Sequence, residues 1–417
     1  MYRKRAWISG TIMAATALLT TSITPAWANS SSSSINQPKK PKNVILMVGD
    51  GMGAAQRQAI RLSKVGFNKN LAMDDMPSSG LVHTSSADPK ELTTDSAAAA
   101  TAMASGVKTY NGAIGVDENK KSVPTVMEYA KKMGKATGLV TTSQVTDATA
   151  AAFGSHVESR KDQSEIARQL IEESKPNVIF GGGEDYFYPE GTPGKFADTK
   201  DSKSTGKSNL VQKAKDSGYS YVYDQKGLQK TMNKQILGLF ANEEMFTPGT
   251  EEDKESAYKP TVPLTQMTTK AISTLSKNKK GFFLMVEEEG IDGMSHTNNA
   301  KLAIEAGKQF DNSVAKAKAY AKQNRDTLVI VIGDHETGGL TIEDSNIKSD
   351  ESGEGISKED GPFPIANSDK SFTADWTTPD HTGVDVPLTS MGPGSEQLTG
   401  AYENTRIHDI MLRSIKD

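Results

Sequence analysis

Val44-Ile45-Leu46-Met47-Val48, closed by Gly49-Asp50-Gly51-Met52-Gly53, is the stretch on which the fold turns. Five apolar residues without alternation leave neither face for water. They read as a strand buried on both sides, the habit of parallel sheets that carry helices above and below. The glycine-punctuated sequence after it reads as a tight loop, which puts Asp50 at the carboxyl end of the strand, where open α/β sheets bind their ligands. Taken singly, an Asp-Gly pair is more simply a turn.

Recurrence gives that reading its weight. Thr137-Gly138-Leu139-Val140-Thr141 is followed closely by Asp147-Ala148-Thr149, and Asn177-Val178-Ile179-Phe180 by three glycines. Phe282-Phe283-Leu284-Met285-Val286 runs into Glu287, Asp292 and His296, and Thr327-Leu328-Val329-Ile330-Val331-Ile332 into Gly333-Asp334-His335. Helices are predicted over 122–133, 262–278, 298–324 and 404–416, and further strands over 220–223 and 236–240. Strand, then acid or histidine, then helix describes one large α/β domain over 43–417 with a mainly parallel sheet and its function along one rim. Residues 192–208 read as a surface loop, and about 343–373 as a polar excursion from which Asp380-His381-Thr382-Gly383 returns.

The composition narrows the chemistry. Among 417 residues there is no cysteine, so any metal ligand must be His, Asp, Glu or a hydroxyl. Arg3, Lys4 and Arg5, an apolar run to about Leu19, and Ala26-Trp27-Ala28 fit a cleaved secretory signal over 1–28, too short and interrupted for a membrane span. Cleavage after Ala28 predicts an exported, soluble protein. Its Ser-, Pro- and Lys-rich residues 29–42 read as a disordered linker. Without the three basic residues of the signal, 45 cations face 52 acids, a net charge of −7 that argues against nucleic acid as a partner.

Thr93-Thr94-Asp95-Ser96, followed by the alanine-rich run from Ala97 to Ala104, predicts a helix whose free amides and positive dipole end lie beside Ser96. A phosphoryl group attacked by the Ser96 oxygen would find its charge met there. The plainer reading is an Asp or Ser N-cap. A serine hydroxyl needs a base, a lowered pKa or a metal to become a nucleophile, and the Asp/His clusters at strand ends look like metal sites. Asp292 and His296, four apart, share a face if one helical turn forms there. Arg160, in His156-Val157-Glu158-Ser159-Arg160-Lys161, could clamp a phosphate with two parallel bonds.

Together the motifs G-D-G-M-G, T-D-S-A-A-A-A-T-A, G-V-K-T-Y-N-G-A-I-G-V-D, D-A-T, H-V-E-S-R-K, V-E-x-x-x-I-D-x-x-x-H, D-H and H-T-G resemble those of the alkaline phosphatases, from Asn43 to the C-terminus. The resemblance implies a three-layer sandwich with a large, mainly parallel central sheet flanked by helices. It further implies a phosphomonoesterase with two zinc ions and one magnesium. Ser96 would become phosphorylated and Arg160 would hold the phosphate oxygens. Asp292, His296 and His381 would bind one zinc, and Asp50, Asp334 and His335 the other. Asp50, Thr149 and Glu287 would bind magnesium, with Asp147 ordering its waters beside the substrate. Small phosphate monoesters are the implied partners, and a homodimer is left open. His83, His156 and His408 are read as structural or surface residues. Two positions depart from relatives: Gly293, where several carry Lys or an aromatic residue, and Thr337, where one branch has a further His. Two other readings stand beside this one: a diesterase or sulfatase-like enzyme of the same superfamily, and an exported metal- or phosphate-binding protein without turnover.

Overall fold

In the computed structural model, residues 41–197, 203–248, 256–345 and 360–416 are described. The strands in chain order are β1 (Asn43–Gly49), β2 (Ser78–His83), β3 (Ala136–Gln144), β4 (Val178–Gly182), β5 (Ser220–Val222), β6 (Ile236–Leu239), β7 (Phe282–Glu288) and β8 (Thr327–Ile332). They continue as β9 (Glu336–Thr337), β10 (Thr341–Asp344), β11 (Asp360–Pro364), β12 (Ser371–Asp375), β13 (His381–Thr382), β14 (Val386–Met391) and β15 (Gly400–Glu403). The α-helices are α1 (Ala54–Lys64), α2 (Ser96–Ser105), α3 (Val126–Lys132), α4 (Ala148–Gly154), α5 (Gln163–Gln169), α6 (Leu210–Asp216), α7 (Gln225–Lys230), α8 (Leu264–Leu275), α9 (Gly290–His296), α10 (Ala300–Gln323) and α11 (Thr405–Lys416).

Ten strands form one sheet in the order β15-β2-β14-β8-β1-β7-β3-β4-β6-β5, parallel except for β14, which opposes both of its neighbours. This is the expected mainly parallel α/β sandwich. Side chains of β1 alternate between its two faces. Val44, Leu46 and Val48 pack with Ala97 of α2, Phe153 of α4 and Met411 of α11. Ile45 and Met47 pack with Ala271 of α8 and Phe310 and Val314 of α10. β14 runs backwards for a local reason: β13 delivers the chain to the carboxyl rim at His381, and the next strand can only lead away from it.

Three sequence expectations shift. Lys42, assigned to the linker, is already tied to the body by its N–H to the Asp326 carbonyl at 2.6 Å; residues 29–40 of that linker and the signal segment lie outside the described residues. The helix expected over 122–133 is shorter, because Thr125 caps α3 in a reciprocal capping box with Glu128 and leaves Pro124 ahead of it. The described part of the excursion at 343–373 is organised as an antiparallel sheet, β10-β12-β11. Its Leu340, Ile365, Phe372, Ala374 and Trp376 make a small core with Ala59 and Leu62 of α1 and Ala300 and Ile304 of α10. Residues 346–359 lie outside the description.

Candidate metal centre and nucleophile

Parallel strands place their carboxyl ends on one edge, so residues far apart in sequence meet there. Asp50 follows β1, Glu287 lies near the end of β7, Asp334 and His335 follow β8, and Asp147 and Thr149 open α4. The single helical turn expected after β7 forms as α9 and brings Asp292 Oδ2 to 3.1 Å from His296 Nε2. His381 arrives on β13, whose pairing with β9 sets His381 opposite Thr337 and Thr382 opposite Glu336.

Two overlapping donor groups result. Asp50, Asp334 and His335 form one, with His335 Nε2 3.4 Å from Asp50 Oδ1 and 3.3 Å from Asp334 Oδ2. Asp292 and His381 form the other, and the geometry adds His335 to it as well: the rings of His335 and His381 stack with centroids 3.6 Å apart. His296 joins from the solvent side, its Nε2 3.1 Å from His381 Nε2. His335 thus lies between the two groups, whereas the resemblance implies it for one of them.

These donors fit cations. Asp50 Oδ1 and Asp334 Oδ2 are buried with no hydrogen-bond partner, an arrangement that is costly unless a positive charge completes it. Burial, then the charges of Asp334, Asp292 and Glu287, pushes the Asp50 carboxyl well up. Burial and then Asp292 push Asp334 up to about 7. Burial outweighs the hydrogen bonds from Thr141 and Thr149 and pushes Glu287 up to about 7. His335 is pushed down by burial and by His381, which keeps it neutral and able to coordinate. Against the effect of burial, the bond to Asp292 raises His296 to about 9. Imidazole with carboxylate suits zinc. The oxygen set of Asp50, Thr149 and Glu287, in which Thr149 Oγ1 donates to Asp50 Oδ2 at 3.1 Å, suits magnesium.

Ser96 is the first residue of α2, 4% exposed, with its Oγ 3.1 Å from His335 Nε2. The capping reading of that stretch holds, one residue before Ser96. Asp95 is the cap, accepting from Ala98 N–H at 2.9 Å, and Ser96 is free to face the metal donors. Asp95 has a second duty that the sequence reading missed. Its Oδ2 accepts from Gly112 N–H and lies 3.3 Å from Arg160 Nη1, while Asp147 Oδ1 lies 3.0 Å from Arg160 Nη2. Two carboxylates thus orient the guanidinium toward the end of α2. The signal was present as a capping acid, a reading that stops at the helix. Glu336 was also missed. It is buried, accepts from Gln56 Nε2 at 2.6 Å and from Leu340 N–H, and is bonded by the Thr382 hydroxyl, so it anchors the strand that carries His381.

The remaining histidines stand away from these groups. His83 pairs with Asp385 at 2.8 Å, His156 bridges Glu128 and the Gly115 carbonyl, and His408 packs on Gly106 at the end of α2. Gly293 is an ordinary helical residue outside the left-handed region, and a Cβ there would meet the Phe246 ring at 2.8 Å.

Comparison with known proteins gives the family. The family model described as alkaline phosphatase matches residues 41–365. Alkaline phosphatase 4 of Bacillus subtilis (strain 168) is 36% identical, covering 90% of this chain and 89% of its own length. Alkaline phosphatase of Escherichia coli (strain K12) is 33% identical, covering 90% and 86%. The structure of alkaline phosphatase from the Antarctic bacterium TAB5 superposes with a TM-score of 0.71 at 33% identity, covering 91% of this chain and 99% of that one. With a family model over most of its length and relatives above 30% identity along nearly all of it, the chain is a phosphatase and belongs to the alkaline phosphatase family.

Proposed function

We propose that this phosphatase is exported after cleavage at Ala28 and hydrolyses small phosphate monoesters through a phosphoserine at Ser96. The observation that carries the reading is the position of Ser96 Oγ, at a helix N-terminus and 3.1 Å from His335 Nε2, beside two buried carboxylate oxygens without partners. Asp50, Asp334 and His335 would hold one zinc, Asp292, His296 and His381 the other, and Asp50, Thr149 and Glu287 a magnesium; such ions would supply Lewis acidity toward a phosphoryl group.

The chain's own groups do the rest. Ser96 Oγ, giving up its proton to solvent, attacks phosphorus as the bond to the ester oxygen breaks, and that oxygen takes a proton from solvent and leaves as the alcohol. Arg160, held by Asp95 and Asp147, binds the phosphoryl oxygens, and the free amides of α2 meet the same charge. Asp147 accepts from Ser143 Oγ at 3.4 Å as well, so it is fixed beside the oxygen set and positioned to order water there. Water then attacks phosphorus, the Ser96–phosphorus bond breaks, and inorganic phosphate leaves. A guanidinium spanning the phosphoryl oxygens favours a monoester over a diester.

Mixing the metal-loaded enzyme with a phosphomonoester and quenching in acid is expected to leave phosphate on Ser96, seen by peptide mass spectrometry. In Ser96→Ala, turnover is expected to fall by more than about a thousandfold with the metal content retained. Activity of Ser96→Ala within a few-fold of the unaltered enzyme would overturn the covalent route.

A further inference from the structure

Thr337 touches both donor groups. It is fully buried, with 0% exposure, on β9 directly opposite His381. Its hydroxyl donates to Asp292 Oδ1, and the same oxygen lies 3.2 Å from His335 Nδ1. The bond is walled in from the β1 side: a Cβ on Gly51 would lie 2.7 Å from Asp292 Oδ1 and 2.8 Å from Thr337 Oγ1, at a backbone φ of +67°. Only glycine lets the loop after β1 approach so closely. The same Gly51 donates its N–H to Asp334 Oδ1 at 3.1 Å, so one residue backs both groups.

Counting protons assigns the roles. A threonine hydroxyl has one hydrogen and two lone pairs. An ionised carboxylate only accepts, so the hydrogen goes to Asp292. The contact with His335 is then favourable only if the ring brings the proton, as Nδ1–H donating to Thr337 Oγ1. His335 Nε2 therefore carries a lone pair, directed at Ser96, Asp50 and Asp334. The opposite tautomer would turn the Thr337 hydrogen to His335 and press two sets of oxygen lone pairs together at Asp292.

We propose that Thr337 is a positioning residue that sets the tautomer of His335 and couples the two metal groups through Asp292. The inference rests on the metal reading above and concerns a residue outside its ligand set. A ligand's outer hydrogen-bond partner is typically worth ten- to a hundredfold in metal affinity. Because this hydroxyl serves a ligand in each group, its loss is felt at both.

The test compares Thr337→Val, which keeps the shape and loses the hydroxyl, with Thr337→Ser, which keeps the hydroxyl and loses a methyl. Zinc alone is titrated into metal-stripped protein against a chromophoric chelator, and the imidazole nitrogens are followed by two-dimensional NMR in the metal-stripped state. Thr337→Val is expected to weaken zinc at both sites by about ten- to a hundredfold and to replace the Nδ1–H signature of His335 with that of an exchanging or Nε2–H ring. Thr337→Ser is expected to retain both. If Thr337→Val does not fold, the serine variant and the unaltered protein still decide the matter: a serine variant that has lost zinc affinity, or a His335 protonated at Nε2 in the unaltered protein, overturns the proposal. Unaltered zinc binding by Thr337→Val overturns it as well. A chain that binds no zinc in its unaltered form defeats the metal reading itself, which separates the two failures.

Discussion

The two donor groups differ in their access to water. Asp50, Asp334 and His335 are 2%, 1% and 0% exposed, and they follow β1 and β8, adjacent strands in the middle of the sheet. In the other group the His381 side chain is 14% exposed and that of His296 39%, and they sit on the two-residue β13 and the seven-residue α9. The sealed group is held by the core, whereas the open group is held by short elements at the mouth. The difference predicts that the two positions respond unequally to the same disturbance.

The largest effect is expected on substituting one ligand in each group. Asp50→Asn removes a carboxylate shared by the Asp334–His335 group and by the oxygen set with Thr149, so losses of about ten- to a hundredfold at each compound to roughly a thousandfold. Activity should fall by that order and excess zinc should not restore it. His296→Asn, at the solvent edge, should lose about ten- to a hundredfold and recover with added zinc. Activities across a zinc titration, with metal counted by mass spectrometry, check both. Equal and equally rescuable losses would remove the distinction between the groups.

A smaller effect should appear in the stability of the metal-stripped protein. Burial raises Asp334 and Glu287 to about 7 and raises Asp50 as well, whereas these carboxyls titrate near 4 when unfolded. Between about pH 4 and pH 7 the folded chain therefore keeps protons that the unfolded chain has released, so stability falls as pH rises through that window. Melting temperatures measured in chelator should decline from pH 5 to pH 7, and the decline should vanish when zinc and magnesium are present. A flat profile in chelator would show that burial and the neighbouring carboxylates do not raise these groups as described.

The smallest effect concerns Gly293, on the open side. Since its backbone is helical, Lys there is not excluded by conformation; the cost is a shift of Phe246, which is 7% exposed and packs on Tyr258. Gly293→Lys should strengthen inhibition by inorganic phosphate by roughly three- to tenfold. An unchanged inhibition constant with full zinc occupancy would show that a cation at this position does not reach the product.

The parallel half of the molecule was legible because strands buried on both faces must be continuous apolar runs, and β1, β7 and β8 are. β2 and β14 were not. Ser78-Ser79-Gly80-Leu81-Val82-His83 mixes small polar residues with only two aliphatic ones, and β14 contains Pro387, which argues against a strand wherever an N–H is needed. Asp50, Glu287, Asp334 and His335 could be singled out because they stand at or just beyond the ends of apolar runs. Asp95 and Glu336 were not, since their partners, Arg160 and Thr382, are fixed by tertiary structure and lie 65 and 46 positions away. Sequence spacing reports a turn of helix well; it does not report which loop will lie across it.

The two-residue pairing of β9 with β13 has a consequence for how this chain can change. Everything from Gly338 to Asp380 leaves the rim at Thr337 and re-enters at His381, which that ladder sets side by side. The described part of the segment is held twice, by that ladder and by the small core that Ile365, Phe372 and Trp376 make with α1 and α10, and lengthening a closed loop is cheap, about 0.6 kcal/mol for each doubling. Residues inserted away from both contacts would therefore extend the segment while His335 and His381 keep their places.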